Sequence, residues 1–437
     1  MESSMSFGVT LIGTFVVSGI LFLLMLLKIN KKDDSQKADE AEEDTKQPAK
    51  SQEKKESRKS KTKSANNWKS SKDTTFSHPW LSCSLKGHSS RVLDIDASSN
   101  GRYFASCAED RQIMLWSAKD LSTKDIKLWW FVWRGPIVWL SIVSAAKTTP
   151  PPGSGVTGYK IVPAEGLTFP RAHQTDIINI GISCSGKFIM SASEDTTVIV
   201  WDLHGAILKT LDTVLGSNNF ASVTPCGRFV ACSGFSADVK VWEVCFDKSG
   251  AFQDVNKAYV LKGHTSGVYS FAFNADSSLA VTASKDGSWK VWNTQIEYKL
   301  GQEPYLLMTG HLPDLKQEPA LLAMSPSGSS FVLALGTTLR VFETSNQAEP
   351  LAGDSTLDQV HSDCVTALCY TSDGNYLVSA GDRHVRVLHN VPGWRAQIRK
   401  LEQQLRTSAA QNSSQTHRDR LEGMIKEAKE KVKSIVG

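Results

Sequence analysis

The 437-residue sequence contains no C-x-x-C pair; its eight cysteines are scattered at positions 83, 107, 184, 226, 232, 245, 364 and 369. Most fall inside strand-like stretches, which argues against a disulfide framework and for buried, reduced thiols in a cytosol-facing domain. There is also no phosphate-binding loop, no metal-ligand cluster and no isolated acid/base pair, so the usual sequence marks of an enzyme are missing and no cofactor is expected. A net charge of +4 is too small to imply a nucleic-acid surface by itself. No retention signal ends the chain.

What is present resembles, at first sight, a hydrolase triad. Residues 171–202 place His173, Ser191, Asp195 and Trp201 in one short stretch. The same set recurs as His88, Ser106, Asp110, Trp116 and as His264, Thr282, Asp286, Trp292, always with 22 residues from histidine to aspartate and 6 from aspartate to tryptophan. A fourth copy, His361, Ser379 and Asp382, is one residue shorter and has Leu388 in place of the tryptophan. A nucleophile needs one base and one oxyanion site, and neither requirement generates four copies at fixed spacing. The histidines lie 85, 91 and 97 residues apart, about twice the ~40–45 residues of a propeller blade. One weaker blade is therefore expected in each gap, giving seven.

Two of the gaps carry readable remnants. Residues 226–244 keep Asp238 and Trp242 without a histidine; residues 310–344 keep Gly310 and His311, with Gly336 near the expected aspartate and Phe342 at the tryptophan position. Each repeat ends in a period-two apolar strand, such as Val198 and Val200 or Val239 and Val241. The stretches SSNG, CSG, PCG, SPSG and SDG supply the turns. The first gap is poorly patterned. Residues 119–171 lack the tetrad and a final-strand motif, and the apolar, aromatic run 128–146 raises the question of a second membrane span. Arg134 near its middle, with Gly135 and Pro136 beside it, argues instead for strand remnants of a damaged second blade.

Together these motifs resemble the WD-repeat family, an all-β propeller of four-stranded blades. The resemblance implies that tryptophan donates to the serine or threonine hydroxyl, which bonds the histidine, which bonds the turn aspartate. In that case the four sets are structural tetrads and none of their members is catalytic. The reading is of a seven-bladed propeller over 80–391 whose second blade is degenerate, preceded by an N-terminal transmembrane helix and a disordered basic tether and followed by a short helical tail.

The flanks are read separately. Residues 8–27 are 20 residues without a charge, long enough to span a ~30 Å hydrocarbon core. Glu2 before the run, its length and the absence of a clear cleavage site favour a retained anchor over a signal peptide. Lys28, Lys31 and Lys32 then place the following chain in the cytosol, leaving 1–7 as a short lumenal tail. Residues 28–79 form the charged tether, whose basic half, 54–72, has the charge to touch lipid head groups or RNA phosphates. The strand-like segment 80–86 is expected to complete the last blade and remove an open edge. In 392–437, Ile398, Leu401 and Leu405 form one helical stripe, and Leu421, Ile425, Ala428, Val432 and Ile435 a second, as in a helical hairpin or a short coil.

The combination of anchor, tether, alternating good and poor repeats and helical tail resembles a membrane-tethered branch of the family. That resemblance implies a single-pass scaffold of the endoplasmic reticulum membrane with its propeller in the cytosol. It further implies a role in the unfolded-protein response, proteins docking on the propeller faces, a stress kinase of that organelle and translation factors as partners, and RNA as a possible one. Two functions of different class follow: a non-catalytic interaction module, or an RNA- or ribosome-binding factor acting through the tether and propeller faces.

Overall fold

The computed structural model describes residues 76–119, 121, 123–129, 139–147, 159–344, 356–410 and 415–436. The described strands form six four-stranded antiparallel sheets and one two-stranded sheet. From inside to outside, blade 1 is Val92–Ala97, Tyr103–Ala108, Gln112–Ser117 and Thr123–Trp129. Blade 2 is Ile177–Ile182, Ile189–Ser193, Thr197–Trp201 and Ile207–Asp212; blade 3 is Asn218–Val223, Phe229–Gly234, Val239–Phe246 and Phe252–Leu261. Blade 4 is Val268–Phe273, Leu279–Ser284, Ser288–Asn293 and Tyr305–His311; blade 5 is Ala320–Met324, Ser330–Leu335, Thr338–Glu343 and the short Thr356–Leu357. Blade 6 takes three strands from the end of the propeller, Ala367–Tyr370, Tyr376–Ala380 and His384–His389, and its outer strand, Leu81–Lys86, from the beginning.

The expected count of seven is corrected to six. Among the described residues, the interval between the tetrads of His88 and His173 gives blade 1 its outer strand and then only the pair Trp139–Lys147 and Tyr159–Thr168, antiparallel to each other. A blade requires a final apolar strand that carries the inter-blade packing, and this is the motif that residues 119–171 lack. The transmembrane expectation is corrected as well: among the described residues no helix is long and apolar enough to cross a membrane. Residues 8–27, on which that expectation rested, lie outside the described residues, as does the tether up to 75. The same finding stands against the single-pass endoplasmic-reticulum placement, which is not carried forward.

The core lies between blades. Phe188, Met190 and Val200 of blade 2 interdigitate with Ala221, Val230 and Trp242 of blade 3, and Phe229 and Val241 of blade 3 with Phe271, Phe273 and Trp292 of blade 4. Similar layers join blades 4 and 5, 5 and 6, and 6 and 1. Each fully buried aliphatic or aromatic side chain contributes about 1.5–3 kcal/mol relative to exposure, so the repeated period-two pattern becomes cohesion around the run of blades. Blades 6 and 1 are also sewn by polar contacts. Arg91 donates from Nε to the Gly381 carbonyl at 3.1 Å and from Nη2 to the Cys364 carbonyl at 3.0 Å, and the Thr366 hydroxyl donates to the Val92 carbonyl at 2.7 Å.

Two helices follow the last blade, α1 (Val391–Ala410) and α2 (Gln415–Val436). Ile398 and Leu401 of α1 meet Leu421, Ile425 and Ala428 of α2, so the two stripes close on each other as a hairpin. Trp394, Val432 and Ile435 pack beside Trp80 and Leu357 in the layer between blades 5 and 6, and Arg399 of α1 forms an ion pair with Glu343. That contact falls where Val341–Glu343, paired inward with Ser330–Val332, have no outer strand partner among the described residues, an edge that the helix covers.

Candidate functional site: the buried tetrads and the loop face

Each complete tetrad joins two strands of one blade with a loop and a turn beside them. The histidine lies on the loop entering the innermost strand, the hydroxyl on the second strand, the aspartate in the turn that follows, and the tryptophan on the third strand. In blade 1, Trp116 Nε1 donates to Ser106 Oγ at 2.8 Å, His88 Nε2 lies 2.8 Å from that oxygen, and His88 Nδ1 lies 3.1 Å from Asp110 Oδ2. Asp110 also accepts the backbone N–H groups of Ser89 and Gln112. In blade 4, Trp292 Nε1 donates to Thr282 Oγ1 at 3.0 Å, His264 Nε2 is 2.8 Å from the same oxygen, and His264 Nδ1 is 2.9 Å from Asp286. A carboxylate only accepts and an indole N–H only donates, so the chain is polarised one way. Nδ1 carries the imidazole proton, and the hydroxyl donates to Nε2.

Blade 2 departs from this pattern. Trp201 donates to Ser191 at 2.8 Å and His173 Nε2 lies 2.7 Å from Ser191, but His173 Nδ1 bonds Thr197 Oγ1 at 3.0 Å, and Thr197 passes the proton chain to Asp195 at 2.5 Å. In blade 6, Ser379 meets His361 Nε2 at 3.0 Å, while Leu388 leaves it without an indole donor; His361 Nδ1 is 3.2 Å from Asp382, and buried Arg386 donates to Asp382 at 2.9 Å. Spacing alone did not identify Thr197 or Arg386. Thr197 had a usable signal, since a hydroxyl two residues after the turn aspartate recurs as Ser288, which bonds Asp286 at 2.6 Å.

The weak blades dispense with the network. In blade 3, Cys232 stands at the serine position and its thiol donates to Asn218 Oδ1 at 3.2 Å, with Thr213 donating to the same oxygen at 2.7 Å. In blade 5, Val332 occupies that position and His311 is exposed; packing of Trp289, Phe331 and Phe342, with ring centroids 5.0–5.1 Å apart, takes over.

These sites are electrostatically quiet. Burial holds His173, His264 and His361 below the ordinary imidazole range, keeping the rings neutral. Burial pushes Asp286 upward, but hydrogen bonds from Ser288, the Thr265 N–H and His264 outweigh it and hold the carboxyl at about 2. Asp110, Asp195 and Asp382 are lowered for the same kind of reason. Ser191, Ser379 and Thr282 are fully buried, so no substrate carbonyl reaches them. Among the described residues no group of histidine, cysteine, aspartate or glutamate is arranged to hold a metal ion, and all eight cysteines are free thiols.

A family model described as WD domain, G-beta repeat matches residues 80–117, 166–202, 256–293 and 355–388, which are the stretches that carry the four tetrads. Transducin beta-like protein 2 of Mus musculus is 40% identical over 378 residues, covering 83% of this chain and 83% of that protein. The chain belongs to the WD-repeat family. The Homo sapiens transducin beta-like protein 2 is likewise 40% identical, with 82% of each chain covered. Periodic tryptophan protein 2 homolog of Neurospora crassa is 24% identical over 193 residues, 41% of this chain and 21% of that protein.

A WD-repeat propeller presents its loops on two faces. On the face that carries the turn aspartates, Val214 and Phe235 are 68% and 76% exposed. Val214 lies on the loop from blade 2 to blade 3, and Phe235 on the turn between the second and third strands of blade 3. The two loops are bound to each other: Phe235 N donates to the Ser217 carbonyl at 3.0 Å and Ser236 N to the Leu215 carbonyl at 2.9 Å. Lys240 Nζ further clamps the Thr213 and Val214 carbonyls at 2.7 and 3.2 Å.

Proposed function

We propose that this WD-repeat protein is a non-catalytic scaffold that docks partner proteins on the loop face of its propeller. The observation that carries the proposal is the apolar pair Val214 and Phe235, held outward on cross-braced loops. A large exposed aromatic on a rigid backbone loses little entropy on binding, which is the usual make-up of an interface anchor. The buried hydroxyl networks support the non-catalytic half of the proposal, because their polar atoms are already partnered within each blade. The resemblance supplies the first partners to test, a stress kinase that phosphorylates a translation initiation factor, and translation factors.

The test is the full chain carrying Val214→Asp and Phe235→Asp, expressed in cells and compared with the unaltered chain. The double variant is expected to melt at the same temperature and to lose recovery of those partners. Unchanged recovery would overturn face docking. An RNA-binding reading draws on the basic run 54–72, which lies outside the described residues; it predicts binding that falls steeply with salt and vanishes when 50–72 are deleted.

A further inference from the structure

Blade 6 takes its fourth strand from the beginning of the propeller, and four of the ten histidines lie at that closure. His78 is on the entering segment, His361 on the loop before the innermost strand, and His384 and His389 at the two ends of the third strand. The third strands of blades 1 to 5 contain no histidine. Each ring at the closure is used in its neutral form. Trp80, buried just before the closing strand, donates its backbone N–H to His78 Nδ1 at 3.1 Å. Arg386 Nη1 donates both to Asp382 and to His361 Nδ1. A guanidinium only donates, so His361 Nδ1 accepts, and the imidazole proton sits on Nε2, facing Ser379. This reverses the polarity of blades 1 and 4, and Leu388 permits it because no indole N–H competes for the serine oxygen. His389 donates its backbone N–H to the Trp80 carbonyl at 2.7 Å, while its ring packs against Tyr376 and Trp394 and its Nδ1 has no hydrogen-bond partner among the described residues.

Protonation opposes every one of these arrangements. It takes the acceptor away from the Trp80 N–H at His78 and sets an N–H against the guanidinium at His361. At His384 it places a cation directly across the ladder from Lys86, and at His389 it desolvates a charge. Asp382 does not absorb the added charge, because it already accepts from Arg386 and from the backbone N–H groups of Ser362 and His384. The carboxylate and the guanidinium cancel, so protons on His361 and His384, whose Nδ1 atoms lie 3.2 and 3.6 Å from Asp382, bring the group to +2. Of the remaining charges around it, Arg383 in the turn and Arg91 of blade 1, bonded to the Gly381 and Cys364 carbonyls, are also cations, and Asp363 on the loop of His361 is exposed. Burial holds His361 and His389 below the ordinary imidazole range, in the direction that the geometry requires.

We propose that this histidine cluster is a pH-sensitive latch: blade 6 is closed at neutral pH, and acid releases the strand Leu81–Lys86 from His384–His389 before the other blades open. The closed state binds fewer protons than the open one, so closure is intact above about 6.5 and is lost as pH falls below it. The latch is independent of docking at Val214 and Phe235. Its test is hydrogen exchange of the full chain by mass spectrometry at pH 7.5 and pH 5.5, with exchange times scaled for the intrinsic effect of pH. The amides of Leu81–Lys86 are expected to exchange about tenfold faster at the lower pH, and those of Phe252–Leu261, the outer strand of a blade whose strands carry no histidine, to change less than about twofold. His384 and His389 are only partly buried, so His384→Gln with His389→Gln is expected to keep the fold and to shrink the acid response about threefold. A readout on the unaltered chain needs no substitution: NMR of isotopically labelled histidine at pH 7.5 should show the proton of His361 on Nε2, against Nδ1 for His88 and His264. Equal acceleration of both strands, no acceleration of Leu81–Lys86, a full response in the double variant, or a proton on Nδ1 of His361 would overturn the latch.

Discussion

Ser191→Ala removes one oxygen and strands two partners. Ser191 accepts from Trp201 Nε1 at 2.8 Å and meets His173 Nε2 at 2.7 Å, with all three residues 2% exposed or less. Leaving a buried donor or acceptor unsatisfied costs about 1–3 kcal/mol, so the substitution is expected to cost roughly 2–6 kcal/mol. Blade 6 supplies an internal control. Because Leu388 stands at the tryptophan position, Ser379→Ala strands only His361 Nε2, and its expected cost is about half, roughly 1–3 kcal/mol. Both serines are fully buried on second strands, so loss of volume is matched and the difference isolates the indole bond. Urea unfolding followed by tryptophan fluorescence, with calorimetric Tm as a second readout at ~2 °C per kcal/mol for a domain of this size, measures both. If Ser191→Ala costs no more than Ser379→Ala, the proton chain from tryptophan to aspartate is not a stabilising unit and the structural role assigned to it is wrong.

Acid should weaken the propeller in two windows. The lowered histidines bind fewer protons folded than unfolded, so their contribution is intact above about 6.5 and drains as pH falls below it. The lowered carboxylates act below that, with Asp286 losing its contribution between about 3.9 and its folded value of about 2. A urea midpoint unchanged between pH 7.5 and pH 5.5 would contradict the first window. A pair of turn substitutions should have opposite signs. Gly227 has φ +71° and a Cβ there would lie 2.6 Å from Cys184 Sγ, so Gly227→Ala is expected to destabilise by about 1–2 kcal/mol. At the matching turn of blade 4, Ser277 holds φ +58°, and Ser277→Gly is expected to stabilise by about 0.5–1 kcal/mol. Shifts of the same sign in thermal melts would show that backbone strain does not govern these turns.

The sequence alone carried the propeller-type repeat and the fixed spacing of the histidine, hydroxyl, aspartate and tryptophan positions, because both are written in short-range terms. A strand needs period-two apolar residues, a turn needs glycine or its like, and a polar network within one blade needs its members at fixed separations along a meander. His88, Ser106, Asp110 and Trp116 fall into contact at the spacing that a three-strand path imposes, and so do their counterparts in blade 4. The tertiary structure decided what depends on neighbours. Thr197 interposes between His173 and Asp195, and Arg386 occupies the network of blade 6, because side-chain reach across a pleat is not fixed by spacing. The blade count fell to six because completing a sheet requires partners for every strand, and among the described residues of 119–171 only one strand pair follows the outer strand of blade 1.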